Sequence, residues 1–213
     1  MTSAEEKFWL QNVEEACSHG ATGLIAGDFG YGALSHPRMV QASRIAGRKG
    51  AVLFGDTSTN RYASLARFEN IYCDAIFPSE VEARAYLGQS NAGLPILASE
   101  LFGHGMAEAV VLTMGARGLV LFFRSRRTED VEGGDRYLPE YLPSLTPIAA
   151  DVLGAGDALT TTASLARLVG ASYVEAAVLG SIAAAVTVQR MDNDPLRMDT
   201  VMRALDALPI QDD

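Results

Sequence analysis

Cysteine is nearly absent: Cys17 and Cys73 are the only two in 213 residues. Two cysteines cannot build a disulfide framework or a cysteine-rich zinc site, and a reduced, cytoplasmic setting is the simplest expectation. Neither has a neighbouring base in the sequence, so no nucleophilic role is expected for them. Long apolar runs are missing too. None approaches the roughly 20 residues that a helix needs to cross a bilayer, so no membrane partner is expected. Residues 1–7 are polar and acidic, unlike a secretory signal. Positive charge is scarce, with 17 Lys and Arg against 26 Asp and Glu and a net charge of −9. Apart from Arg124, Arg126 and Arg127 the basic residues are scattered. That argues against a nucleic-acid surface and leaves room for a local positive pocket. The three histidines, His19, His36 and His104, share no metal-ligand spacing. No internal repeat or low-complexity tract is present.

What the chain does have is ordinary globular composition, 48% hydrophobic and 20% charged, at a length suited to one domain with a sizeable core. Residues 1–213 are therefore expected to form a single domain. Short apolar runs at 23–26, 51–54, 74–77, 109–113 and 119–123 predict strands, and 137–142, which contains Pro139 and is followed by Pro143, predicts an edge strand. Helices are predicted over 4–19, opened by Ser3 and Glu6 as a capping box, and over 37–48, led by Pro37. Further helices are predicted over 79–87, closed by Gly88, and over 97–106, after a loop at 91–95. The last three follow: a helix entered near 154–157, one opened by the Ser172/Glu175 capping box and running to 188, and one from Asp199 to 208, ended by Pro209. Residues 124–134 predict a solvated hairpin or loop, and 191–195 a break. Strands alternating with helices, with the strands apolar throughout, mean an α/β domain whose mostly parallel sheet is covered on both faces. Ligands of such folds sit outside the carboxyl ends of the strands.

The chain is organised around Asp151-Val152-Leu153-Gly154-Ala155-Gly156-Asp157-Ala158, which runs into an apolar segment free of proline. Glycines lack Cβ, so the backbone here can approach a ligand closely. The first amides of a helix are unpaired and its dipole is positive at that end, which makes an anion site. Asp157 falls in the first turn, where a carboxylate could take a proton from a hydroxyl beside a bound phosphate. An anion hole next to a base suits phosphoryl transfer. The structural alternative is a tight turn followed by a favourable helix-start Asp, and for a bare G-x-G-D the two are even.

The longer string D-x-x-G-A-G-D-A resembles the C-terminal signature of the ribokinase-like (PfkB) carbohydrate kinases. The resemblance implies a three-layer α/β/α sandwich with a mostly parallel sheet. It implies Asp157 as catalytic base, an anion hole at Gly154, Ala155 and Gly156, and Asp151 as the first residue of the signature. Thr113-Met114-Gly115-Ala116-Arg117-Gly118 resembles the family's T-x-G-x-x-G nucleotide loop, which assigns Thr113, Gly115 and Gly118 to nucleotide contact; a plain hairpin turn is the competing reading. Pro78-Ser79-Glu80-Val81-Glu82 is similar to P-N-x-x-E, through which Glu82 helps organise magnesium and phosphates by way of water; Ser79 and Glu82 also make a capping box. Residues 24–32 are similar to the strand and S-D-Y-G-K-G loop of the heptose-phosphate kinase branch. Asp28 and the glycines match, while Tyr31 stands where that branch has lysine. The alternative for Asp28 is a turn in which it bonds its own backbone. Near Asp56 that branch's lysine is missing as well, with Thr57 and Ser58 nearby.

ATP and Mg²⁺ are therefore the implied cofactors, and a hydroxyl of a sugar or sugar phosphate the implied acceptor. The resemblance begins well inside the family domain. About its first third, with sugar-binding segments and a small β-sheet lid, has no counterpart, and neither has the H-x-G-H segment of bifunctional heptose enzymes. A fragment, a chain completed by a second chain or domain, and a kinase-derived module that binds a nucleotide or a partner without catalysis all remain open.

Overall fold

The computed structural model describes residues 2–58, 64–124, 137–146, 151–190 and 195–208. The chain forms two compact units, Met1–Met114 with Val120–Glu140, and Gly115–Leu119 with Tyr141–Asp213.

The first unit contains α1 (Ser3–Ser18), β1 (Gly23–Asp28), α2 (His36–Arg48), β2 (Val52–Thr57), β3 (Cys73–Ile76), α3 (Glu80–Leu87), α4 (Leu94–Gly103) and β4 (Ala107–Thr113). With β5 (Leu119–Arg124) and β6 (Tyr137–Leu142) the strands form one six-stranded sheet in sequential order. β1 to β4 are parallel neighbours, with Asp28 in register with Thr57 and Ile76 with Val110. Parallel strands need long crossovers, and right-handed crossovers between sequential neighbours place α2, α3 and α4 on one face. The short connection between β4 and β5 cannot make such a crossover, so β5 runs antiparallel to β4. β6 takes the edge expected from its prolines. The core is filled by fully buried Met39, Phe54, Phe68, Ile76, Leu97, Leu101, Met106 and Leu112. α1 packs on α2 through Val13, Cys17, Ala42, Ile45 and Ala46.

Two boundaries differ from the sequence reading for identifiable reasons. The capping box that opens α1 is made by Thr2 and Glu5 rather than Ser3 and Glu6. Glu6 is instead drawn to Arg38, 3.4 Å away, and Glu5 is left to bond the Thr2 N–H at 2.6 Å. α4 begins at Leu94, not at 97, because Pro95 sits in its first turn, where a missing N–H costs nothing. By contrast, α3 has the Ser79/Glu82 capping box and the left-handed Gly88 cap that its sequence announces.

The second unit holds α5 (Ala155–Leu168), α6 (Tyr173–Val188) and α7 (Met198–Asp206). α6 opens on the expected Ser172/Glu175 box. It packs along α5, and Ile182 and Ala183 of α6 form a small core with Val201 of α7. Asp199 does not cap α7: Arg197 holds that position, and the Asp199 carboxylate accepts from Arg197 Nε at 3.3 Å and lies 3.8 Å from Arg203. The expected loop at 124–134 lies almost wholly outside the described residues, as do most of the break at 191–195 and Pro209.

Candidate active site

The signature turn is a glycine-led helix start. Asp151 starts it, its carboxylate accepting the Leu153 N–H at 2.9 Å, while its own N–H donates to the Val188 carbonyl at 3.2 Å. Gly154 follows with φ of +78°, a left-handed conformation that glycine adopts without penalty. The Ala155 N–H reaches back to the Val152 carbonyl at 3.4 Å, and the first helical bond runs from Ala158 to Gly154 at 2.9 Å. The N–H groups of Gly154, Gly156 and Asp157 have no partner among the described residues. They gather at the positive end of a 14-residue helix. A Cβ at Gly156 would meet nothing within 4 Å among the described residues. Asp157 is exposed in the first turn, its carboxylate without a protein partner among the described residues.

Within the same unit, Gly115 and Gly118 flank a single 3-10 turn closed by Gly118 N–H donating to the Gly115 carbonyl at 2.9 Å. Gly118 has a packing duty as well: a Cβ there would fall 2.1 Å from the Leu142 carbonyl oxygen. Thr113 belongs to the first unit, where it prolongs the sheet by donating its N–H to the Pro78 carbonyl at 3.0 Å and bridging Ser79.

The other acidic positions are engaged. Asp28 is 2% exposed, and its carboxylate accepts from Gly30 N–H at 3.0 Å, Ser64 N–H at 3.2 Å and Arg67 Nε at 3.1 Å. The bond to Gly30 is the local turn anticipated for this residue, and the bonds to Ser64 and Arg67 are not foreseeable from any motif. Glu82 accepts the Ser79 N–H at 2.7 Å in the α3 cap. No group of three or more His, Cys, Asp or Glu among the described residues could hold a metal by itself. Both cysteines are free and buried, and burial pushes the Cys73 thiol from an ordinary 9.0 up to about 12, which leaves it inert at neutral pH. No helix of the described residues is long and apolar enough to cross a membrane.

Solved structures share this fold. The ribokinase of Thermotoga maritima matches with a TM-score of 0.68 at 18% identity, over 91% of this chain and 59% of that one. Arabidopsis thaliana ribokinase, solved with ribose and ATP, matches with a TM-score of 0.70 at 16% identity, over 96% of this chain and 59% of the other. The fold is thus ribokinase-like, the three-layer α/β/α class. Residues 1–196 match the description "pfkB family carbohydrate kinase", and the chain belongs to that family. A curated relative, the Bifunctional protein HldE of Desulfatibacillum aliphaticivorans, is 28% identical over 171 residues, 79% of this chain. The chain spans 32% of that protein's length.

Proposed function

We propose that residues 1–213 serve as the nucleotide-binding and catalytic-base portion of an ATP-dependent carbohydrate kinase. The reaction moves the γ-phosphoryl group of ATP to a hydroxyl of a sugar or sugar phosphate, and the resemblance to the heptose-phosphate branch favours an acceptor of that type. One observation supports this reading: three N–H groups without a partner among the described residues and an exposed carboxylate meet at one helix start.

The unpaired amides suit the oxygens of a transferring phosphoryl group, where negative charge accumulates. Asp157 accepts the proton of the attacking hydroxyl, so that the oxygen forms its bond to phosphorus as the bond to the ADP oxygen breaks. The Gly115 and Gly118 turn contacts the nucleotide, with Thr113 preceding it. Mg²⁺, when bound, would supply charge neutralisation at the phosphates; it commonly keeps several waters and few carboxylates, which suits Glu82 as an indirect organiser acting through water.

A second reading has its own support. Tyr31, 89% exposed, occupies the place of a phosphate-neutralising lysine, as a non-catalytic nucleotide-binding or protein-interaction module permits. A coupled ADP-release assay with a panel of sugars and sugar phosphates separates the two. It is run on this chain and on the longest natural chain that contains it. Sugar-dependent release, lost in Asp157→Asn, is the expected result. Its absence from the longer chain would leave the module.

A further inference from the structure

The anion turn does not stand by itself; its support comes from α6. Gly180 is buried in the middle of that helix, where glycine costs about 1 kcal/mol relative to alanine. Its backbone is ordinary helix, so conformation does not call for glycine. Proximity does. A Cβ at Gly180 would lie 2.9 Å from the Leu159 carbonyl oxygen, 3.2 Å from Ala163 Cβ and 3.3 Å from Leu159 Cγ. The nearest of these is backbone, which cannot swing aside as a side chain can.

Two helical turns further along the same face comes Thr187. Its hydroxyl donates to the Ala183 carbonyl at 2.9 Å, which fixes the side chain, and its methyl is the nearest atom to the Cβ position of Gly154, at 3.9 Å. The next residue, Val188, accepts the Asp151 N–H through its carbonyl at 3.2 Å. Gly180 thus meets α5 beyond the turn, while Val188 bonds the turn and the Thr187 methyl lies beside Gly154.

We propose that Gly180 is a positioning residue for the phosphate turn. By letting α6 lie against the Leu159 backbone, it sets where Thr187 and Val188 reach Asp151 and Gly154, and so the direction of the partnerless N–H groups. The proposal rests on the kinase reading of that turn.

The test is ADP binding by calorimetry in the presence of Mg²⁺, at a temperature where every variant is fully folded. Gly180→Ala is expected to weaken binding at least tenfold, about the worth of one lost hydrogen bond to a charged group. Val201→Ala, which removes a buried methyl pair from the α6–α7 core, lowers the melting temperature but is expected to keep wild-type affinity. Thr187→Ala is expected to weaken binding about threefold, with Thr187→Val, which keeps the methyl, within twofold of wild type. If Gly180→Ala does not fold, the Thr187 pair decides. Wild-type affinity in folded Gly180→Ala, or in Thr187→Ala when Gly180→Ala does not fold, overturns the proposal. So does equal weakening in Val201→Ala, which would make the effect one of general stability. No ADP binding by the wild type is a different result: it overturns the nucleotide reading on which the proposal rests.

Discussion

Asp28 and Asp157 are the same residue in opposite circumstances. Asp28, at the end of β1, is buried and accepts bonds from two backbone amides and a guanidinium. Asp157, at the start of α5, is exposed, and neither its carboxylate nor the amides beside it have a partner among the described residues. A carboxylate whose acceptor capacity is spent on the fold holds the fold together. One whose capacity is unspent, next to unpaired donors, is available to a ligand. The contrast gives the first a part in the fold and leaves the second for the proposed chemistry, although both stand in stretches that resemble the same kinase family.

The largest effect that sharpens this contrast is on turnover. Asp157→Asn keeps size and removes the base, so phosphoryl transfer by the sugar-competent chain should fall by roughly 10²–10⁴. Its melting temperature should stay within a degree or two, because surface changes are usually worth less than about 0.5 kcal/mol. A rate within threefold of wild type in the ADP-release assay would remove Asp157 from the chemistry.

Asp28→Ala should do the reverse. It removes the acceptor shared by Arg67 Nε and the Ser64 and Gly30 amides, and chemical denaturation should show a loss of about 3 kcal/mol, at the lower end for a broken buried pair because Arg67 is partly exposed. Unchanged stability would break the comparison from the other side.

Smaller still is the cost of a side chain at Gly154. Gly154→Ala must hold a left-handed conformation and should lose about 1–2 kcal/mol. If it loses nothing, the turn is not held at positive φ in solution.

The smallest effect lies at high pH. Burial, together with the Glu69 carboxylate that accepts its hydroxyl proton, pushes the Tyr86 phenol upward, and burial pushes Cys73 up to about 12. Both are raised acids that must be neutral in the folded chain. Their stabilisation is complete below the unfolded values and is lost as pH rises, from about 9 for Cys73 and about 10 for Tyr86. Tyr86→Phe should flatten the decline in melting temperature above pH 10. A slope identical to wild type would remove Tyr86 as a cause.

Much of this was legible before any coordinates. Capping boxes at Ser79 and Ser172 depend on neighbours in sequence, and they appear where the sequence puts them. The signature turn and its helix are also local. What was not legible depends on partners far along the chain. Ser3/Glu6 and Thr2/Glu5 fit the same pattern, and only Arg38 on α2 decides between them. Asp28 reads either as a match to the family's loop or as a local turn, yet two of its three donors, Ser64 and Arg67, lie in a segment without a motif. Gly180 looks like one more small residue in an alanine-rich helix until the Leu159 carbonyl is seen against it.

Gly156 offers the most direct measurement. Its φ is not left-handed and a Cβ built there meets no described residue within 4 Å, so Gly156→Val should leave the fold intact and fill the place proposed for phosphate. Calorimetric titration with ADP should show binding to wild type and a loss of at least tenfold in Gly156→Val, at a melting temperature within about 3 °C of wild type, since surface substitutions rarely exceed 0.5 kcal/mol. Equal ADP affinity in the two proteins would contradict the account, because the turn would then not be where the nucleotide's phosphates sit.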